Sequence, residues 1–138
     1  MTPRDTRTGG VLEAMILPAL ERGGYAYQKQ VKVGCRPGGR VHKVDAVAEK
    51  VGEKILVSLK WQQVGGTAEQ KVPFEVMCLA DEVRGGNFQK AYVVLGGDGW
   101  TLRDFYITGG LKKYLTDADR VTVMTLERFV AVANQGKL

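Results

Sequence analysis

Two neighbouring stretches of alternating apolar and polar residues limit most strongly what this chain can fold into. Residues 44–48 read Val-Asp-Ala-Val-Ala, and residues 54–62 read Lys-Ile-Leu-Val-Ser-Leu-Lys-Trp-Gln. β-Branched and aliphatic residues that alternate with polar ones at a period of two predict β-strands. The polar stretch 49–53 between them contains a glycine, as turns often do. The sequence therefore predicts a β-hairpin near the middle of the chain.

Four polar side chains on these two strands form a candidate site. Residues two positions apart lie on the same face of a strand, so Ser58, Lys60 and Gln62 share one face. In a hairpin, Asp45 on the neighbouring strand is expected close to Ser58 and Lys60. A carboxylate binds Mg²⁺ through hard oxygen ligands, and a lysine orients or deprotonates water and offsets phosphate charge. A carboxylate beside a lysine is what metal-assisted phosphodiester cleavage requires.

The remaining pattern predicts helices and strands in the order α-β-β-β-α-β-α-β-α. The predicted elements are helix 10–22, strands 25–33, 40–48 and 54–62, a helix that begins after Thr67 and ends at residue 85, strand 91–95, a partly helical segment 101–115, strand 120–124 and helix 125–134.

Thr67 is the predicted N-cap of its helix. The Gly-rich stretch 96–99 lacks the Lys-Ser/Thr ending of a phosphate-binding loop, so it is interpreted as a tight connection.

Length and charge set modest bounds. A chain of 138 residues is expected to form a single domain, 1–138, around one core. Its net charge of +5 and pI of about 9.3 suit an anionic partner. No apolar run is long enough to cross a membrane, and residues 1–10 lack the apolar centre of a signal peptide. A cytoplasmic protein without membrane contact is therefore expected.

Cysteine and histidine are too scarce for many metal-centre chemistries. Cys35 and Cys78 lack metal-ligand spacing and are expected to be reduced and structural. His42 is the single histidine, which excludes a histidine-based metal cluster. We expect His42 to lie on a face of the hairpin.

The order of the elements, with Asp45 and the run Ser58-Leu59-Lys60 on the second and third strands, resembles the PD-(D/E)XK nuclease superfamily. The resemblance covers roughly residues 10–95. It implies a restriction-endonuclease-like αβββαβ core, an α/β fold whose mixed central sheet is flanked by helices. By this resemblance Asp45 is a metal ligand and Lys60 a catalytic residue. The resemblance also implies that the main-chain carbonyl of Leu59 is a second metal ligand.

Ser58 departs from the family pattern, because it stands where the family has an acidic residue. Some type II restriction enzymes have a similar SXK run, and there a glutamate from the following helix supplies the missing carboxylate. Glu75 lies 15 positions after Lys60, close to the spacing of that variant, and Glu69 is the nearer candidate. The helix dipole favours a carboxylate in the first turn in any case. We therefore prefer Glu75 as the metal ligand and keep Glu69 as the alternative.

Two further residues resemble family site residues. Glu13 on the first helix is similar to the extra acid that Holliday-junction resolvases bring to the metal, and it is expected to be an outer ligand. Gln62 is similar to the KXQ extension of some members. The ordinary alternatives are a solvated Glu13 and a plain strand residue at Ser58. For Asp45, among aliphatic neighbours, burial without a function would be costly.

Basic residues around the predicted site indicate contact with DNA. Arg40 and Lys43 lie on the hairpin near Asp45, and Lys71 lies on the following helix. The loop 62–67 is expected to admit a nucleic-acid backbone, where Thr67 and the free N–H groups of the helix start bind a phosphate. Such contacts position a strand without reading its sequence. Ordinary solvated charges are the alternative.

The leading functional hypothesis is a Mg²⁺-dependent DNA endonuclease, with Mn²⁺ able to substitute, of restriction, homing, mobile-element or junction-resolving type. One active site cuts one strand, and a two-fold assembly matches the symmetry of a duplex, so a homodimer or higher homo-oligomer is expected. Two alternatives remain open: a non-catalytic nucleic-acid-binding domain of the same fold, and an unrelated α/β interaction domain.

Overall fold

A mixed five-stranded sheet organises the part of the chain that the computed structural model describes, residues 7–138. The strands lie in sequence order across the sheet: β1 (Ala26–Cys35), β2 (Val41–Lys50), β3 (Glu53–Trp61), β4 (Lys90–Gly96) and β5 (Val121–Thr125). The first three are antiparallel to one another, and β3, β4 and β5 are parallel. Parallel neighbours require a crossover connection, so the chain leaves the sheet after β3 and again after β4.

The helices cover both faces of this sheet. Helix α1 runs through three segments: Arg7–Val11, the π-helical Leu12–Ile16, and Leu17–Arg22. The others are α2 (Ala68–Arg84), α3 (Arg103–Ile107) and α4 (Leu126–Asn134), with 3₁₀ turns at Gly110–Lys113 and Ala118–Arg120. None of the helices in the described range has the length and apolarity that a membrane crossing needs.

Alternation along β3 separates the two halves of the core. Ile55, Val57 and Leu59 pack on the side of α1 and α4, whereas Leu56 packs on the side of α2. Both clusters consist of aliphatic and aromatic side chains removed from water, which is the main favourable contribution to folding. The predicted fold class, an α/β fold with a mixed sheet flanked by helices in the manner of restriction endonucleases, is confirmed.

Two prolines lie inside helices, and a different local structure accommodates each of them. A proline has no N–H to donate and disturbs the carbonyl four residues earlier. Before Pro18, the wider π-helical turn Leu12–Ile16 absorbs the disturbance. Within α2, Pro73 leaves the carbonyl of Glu69 without its helical donor, and the Tyr106 hydroxyl donates to that oxygen at 2.7 Å. Both helices therefore continue past their prolines.

The β2 strand changes its packing at Asp45. In the antiparallel register of β1 and β2, Gln30 and Asp45 would face each other, but this pair is missing from the ladder. Gln30 has a positive φ of 56°. Val44 packs with α2, whereas Ala46, two residues on, packs with α1 and α4. The ladder between β2 and β3 also ends at Ala46, opposite Val57. Asp45 thus stands where β2 diverges from β3.

The predicted partly helical segment 101–115 is more broken than one helix. It contains α3, then a break at Gly109, which has φ 85°, and then a 3₁₀ turn. A left-handed residue cannot continue an α-helix, and glycine adopts that conformation without steric cost.

Candidate active site

Asp45 is held by the main chain of the neighbouring strand. Its Oδ2 accepts a hydrogen bond from the N–H of Leu59 at 2.7 Å. Burial raises the pKa of this carboxyl, against the Leu59 hydrogen bond and the charge of Lys60, which lower it, and Glu75 raises it further. Asp45 is therefore an inward-facing acid that lies within electrostatic range of both Lys60 and Glu75.

Glu75 enters from α2 to lie beside Ser58 and Lys60. Its side chain is almost fully buried, and its Oε2 is 3.8 Å from Lys60 Nζ. Burial alone would raise the pKa of Glu75, but the His42 hydrogen bond, the charge of Lys60 and the Ser58 hydroxyl together lower it. The helix thus brings a carboxylate next to the serine where the sequence pattern lacks one.

The β1–β2 hairpin supplies two more groups around the same carboxylate. His42 is completely buried, and its Nε2 lies 2.9 Å from Glu75 Oε1. Arg36 Nη2 lies 3.8 Å from Glu75 Oε2, and the guanidinium stands over the Phe74 ring at 5.9 Å. Sequence reasoning assigned neither to the site. The available signal for His42 was its alternation with Val44, which predicts an inward face.

The donor set around Asp45 suits a hard divalent cation. Two carboxylates and a main-chain carbonyl are the oxygen ligands that Mg²⁺ and Ca²⁺ take, and Mg²⁺ usually keeps several waters. No cluster of three or more His, Cys, Asp or Glu side chains with metal-binding geometry occurs among the side chains that the structure describes. A cation here would therefore rest on Asp45, the Leu59 carbonyl and water, with Glu75, which is buried and is not among the described residues that line the cleft, as the proposed second carboxylate. The burial that raises the pKa of Asp45 is the cost that a bound cation would offset.

Gln62 has a structural role that the family-based assignment did not foresee. Its side chain is buried and fully used: Nε2 donates to the carbonyl of Gly99 at 2.8 Å, and Oε1 accepts from the N–H of Glu69 at 3.2 Å. Gly97, with φ 89°, lies so close that a Cβ there would collide with the Gln62 carbonyl oxygen. Gln62 lines the cleft and fixes the glycine-rich connection after β4 to the start of α2, and its assignment as a catalytic residue stays a prediction.

Glu69 is engaged away from the proposed metal position. Its carboxylate accepts hydrogen bonds from the N–H and hydroxyl of Thr101 and from the N–H of Leu102. Burial would raise the pKa of Glu69, but these donors and Gln62 lower it. The carboxylate holds the segment that precedes α3, and the alternative assignment of Glu69 as a metal ligand stays a prediction.

Glu13 is also separated from the site. It lies on the solvent side of the π-helical segment, whose residues Leu12 and Ile16 pack onto the sheet. Its carboxylate pairs with Lys29 at 2.5 Å, and both side chains are more than half exposed. The described residues that line the cleft do not include Glu13, and its assignment as an outer metal ligand stays a prediction.

A cleft of about 680 Å³ opens over Asp45, Ser58 and Lys60. Lys43 and Lys71 add positive charge to its lining, and the loop 62–67 forms one side. Thr67 lies in this loop immediately before α2, but its side chain makes no capping hydrogen bond. Arg40 lies in the hairpin turn and is not among the described residues of the lining. The cleft therefore brings together two of the predicted phosphate-contacting lysines.

Comparison with known proteins agrees with this geometry. Residues 4–137 match the family described as PD-(D/E)XK nuclease superfamily domain. The chain belongs to this superfamily, which supports a nuclease-type function. No curated protein matches the chain in sequence.

Among solved structures, the chain is similar to the crystal structure of AF1548, a protein of unknown function. The two share 14% sequence identity with a TM-score of 0.49, over 80% of this chain and 54% of the other. The chain thus spans about half the length of that protein.

Proposed function

We propose that this protein is a metal-dependent endonuclease that hydrolyses phosphodiester bonds in DNA, with Mg²⁺ as the cation and Mn²⁺ as a substitute. The observation that carries the proposal is the position of Glu75. It lies beside Ser58, with Oε2 3.8 Å from Lys60, and it acts electrostatically on Asp45. This supports an SXK arrangement in which the helix supplies the acid that the strand lacks.

The residues divide the chemistry between them. Asp45 and Glu75 would hold the cation, with the Leu59 carbonyl as a further oxygen ligand. When bound, the cation lowers the pKa of water and stabilises charge on the phosphate oxygens. Lys60 orients the attacking water for in-line attack on phosphorus and balances the charge that develops. The Asp45–Leu59 hydrogen bond keeps the first carboxylate in a fixed position throughout.

Substrate binding is assigned to the cations of the cleft. Lys43 and Lys71 contact backbone phosphates, and Thr67 with the N–H of Ala68 at the start of α2 receives a further phosphate. Phosphate contacts of this kind release counterions, so binding weakens steeply with salt. Cleavage of both strands of a duplex would use a homodimer, because each chain carries one such cleft.

A cleavage panel tests the proposal. The full chain is incubated with plasmid, duplex, nicked, forked and four-way DNA in Mg²⁺, Mn²⁺ or EDTA. We expect metal-dependent cleavage of at least one substrate, its loss in Asp45→Asn and Lys60→Ala, and its retention in Asp119→Asn, a matched exposed acid outside the cleft. Salt-sensitive DNA binding without cleavage in any metal would identify a non-catalytic member of the superfamily instead.

A further inference from the structure

The imidazole of His42 is the least explained polar group in the protein. It is fully buried, and one ring nitrogen, Nε2, meets Glu75 at 2.9 Å. The other, Nδ1, is buried with no hydrogen-bond partner among the described residues. Buried polar atoms are normally paired, and an unpaired one calls for a reason. An apolar residue at position 42 would avoid the cost of a buried, unpaired ring nitrogen. We therefore look for the role of His42 in its contact with Glu75.

The two oxygens of Glu75 are in different situations. Oε1 is within hydrogen-bond distance of His42 Nε2, whereas Oε2 is 3.8 Å from both Lys60 Nζ and Arg36 Nη2. A separation of 3.8 Å is too long for a hydrogen bond. One oxygen is therefore fixed by His42, and the other faces two cations without a direct bond to either.

The strand that carries His42 also carries Asp45. His42 precedes the point where β2 diverges from β3, and Asp45 marks that point. One strand thus provides the first carboxylate and also the group that holds the second. Hydrogen bonds to ligating carboxylates orient them and tune their affinity for the cation, and losing such a partner costs 10–100-fold in metal affinity or activity.

We propose that His42 is a positioning residue: its Nε2–H fixes Glu75 Oε1 so that Oε2 is presented to the divalent cation. The inference rests on the proposed function and extends it to a residue that contacts neither metal nor DNA. With the proton on Nε2, Nδ1 keeps only a lone pair, and a buried acceptor without a partner is better tolerated than an orphaned N–H donor.

The imidazole itself offers a direct test without mutation of the ring. His42 is the only histidine of the chain, so its ¹⁵N resonances in long-range ¹H–¹⁵N spectra need no assignment. We expect an Nε2-protonated ring in the wild type, and a shift of the Nε2 resonance when Mg²⁺ is added. In Glu75→Gln, the Mg²⁺-dependent shift should be lost. An Nε2 resonance that does not respond to Mg²⁺ at concentrations that saturate the wild type would overturn the inference.

Substitution provides the second test, with Mn²⁺ alone as the probe. Free Mn²⁺ is measured by EPR on the full chain, and folding is checked by circular dichroism. His42→Phe retains an apolar ring but no donor, and we expect its affinity for Mn²⁺ to fall about 10-fold or more. His42→Gln, whose amide donates to the same oxygen, should recover most of that loss. Tyr106→Phe also loses a buried hydrogen bond, outside the cleft, and should bind Mn²⁺ as the wild type does.

The outcomes separate this inference from the proposed function. A wild type that binds neither Mn²⁺ nor Mg²⁺ overturns both. Normal Mn²⁺ binding by a folded His42→Phe overturns the positioning role alone and leaves the nuclease proposal intact. If His42→Phe does not fold, the Mg²⁺ response of the wild-type imidazole, compared with Glu75→Gln, decides the matter.

Discussion

The main-chain N–H of Leu59 donates to Asp45 Oδ2 over 2.7 Å, at the point where β2 and β3 have ceased to pair. The Asp45 carboxylate therefore accepts the hydrogen bond that a main-chain carbonyl of the neighbouring strand accepts elsewhere in the ladder. The Leu59 amide is satisfied by the carboxylate, and the carboxylate is held in one orientation by the sheet. The position of the first proposed metal ligand follows from the strand geometry.

Asp45→Asn should raise the melting temperature of the metal-free protein at neutral pH. Burial is the largest reason that the pKa of Asp45 is raised, so the charged form is disfavoured in the folded state, and an amide still accepts from Leu59. The stability cost of this aspartate is present above its folded pKa and disappears below its unfolded value. The gain of Asp45→Asn should therefore shrink as the pH is lowered.

Calorimetric scans across pH, with and without Mg²⁺, measure this effect. Mg²⁺ should raise the melting temperature of the wild type but not that of Asp45→Asn. Asp119→Asn, an exposed acid, serves as the control. A lower melting temperature for Asp45→Asn at neutral pH would contradict the prediction.

The three glutamates should respond differently to substitution by glutamine. Glu75→Gln should raise the Mg²⁺ concentration needed for half-maximal cleavage, because the site loses one of two carboxylates. Glu13→Gln should cleave normally. Glu69→Gln should lower stability, because the carboxylate that receives Thr101 and Leu102 loses its charge, with little effect on the Mg²⁺ requirement of the folded protein.

Ser58→Glu in the Glu75→Gln background tests whether a carboxylate on β3 can replace the carboxylate that α2 supplies. Ser58 and Glu75 are neighbours, so an acid at position 58 should partly restore cleavage. Titration of activity against Mg²⁺ measures both effects. If Glu75→Gln requires no more Mg²⁺ than the wild type, the assignment of the second carboxylate is wrong.

Lys60→Ala should abolish detectable cleavage, a fall of about 100-fold or more, while Mn²⁺ binding persists. The lysine acts on water and on phosphate charge and is not a ligand. Lys71→Ala is the matched comparison on the same cleft: it should weaken DNA binding and reduce the salt slope by about one, with a smaller effect on the rate at saturating DNA. Binding isotherms at several salt concentrations and single-turnover rates distinguish the two lysines.

Tyr106→Phe should destabilise the protein by about 1–3 kcal/mol, because the Glu69 carbonyl inside α2 would lose the Tyr106 hydroxyl as its donor. In a Pro73→Ala background the chain regains an N–H for that carbonyl, so the same substitution should cost less. Urea denaturation of the wild type, the two single variants and the double variant gives the coupling energy. Equal costs in both backgrounds would show that Tyr106 does not compensate for Pro73.

Local pattern was enough to predict the strands and the shared face of Ser58 and Lys60. Period-two alternation is a property of consecutive residues, so it predicts that Ser58 and Lys60 share a face of β3. Only the structure places this face on the α2 side, where Glu75 lies beside both residues. The spacing of Glu75 pointed to the same cleft through the family resemblance. The helix predicted over 125–134 is α4, and its N-cap Thr125 accepts a hydrogen bond from the N–H of Arg128 through its hydroxyl.

The roles of Gln62, Glu69 and His42 depend on contacts that no local pattern contains. Gln62 bonds to Gly99, and Glu69 bonds to Thr101, across more than 30 residues of chain. These partners are set by how the connection after β4 passes over the start of α2. Likewise, His42 meets Glu75 only because β2 changes its packing face at Asp45, an irregularity that a strict alternation cannot predict.

The divergence of β2 from β3 also affects how the protein fluctuates. Between Ala46 and Lys50 the two strands are paired, whereas the half of β2 from Val41 to Val44 has no ladder with β3. Local opening at this end breaks two side-chain contacts, Asp45 with Leu59 and His42 with Glu75, and leaves the paired half intact. Backbone amides of the Val41–Val44 half should therefore exchange with deuterium before those of the Ala46–Lys50 half. We expect the site to assemble when this end of the sheet closes. A ligand that stabilises the assembled site should therefore slow amide exchange in the Val41–Val44 half of β2.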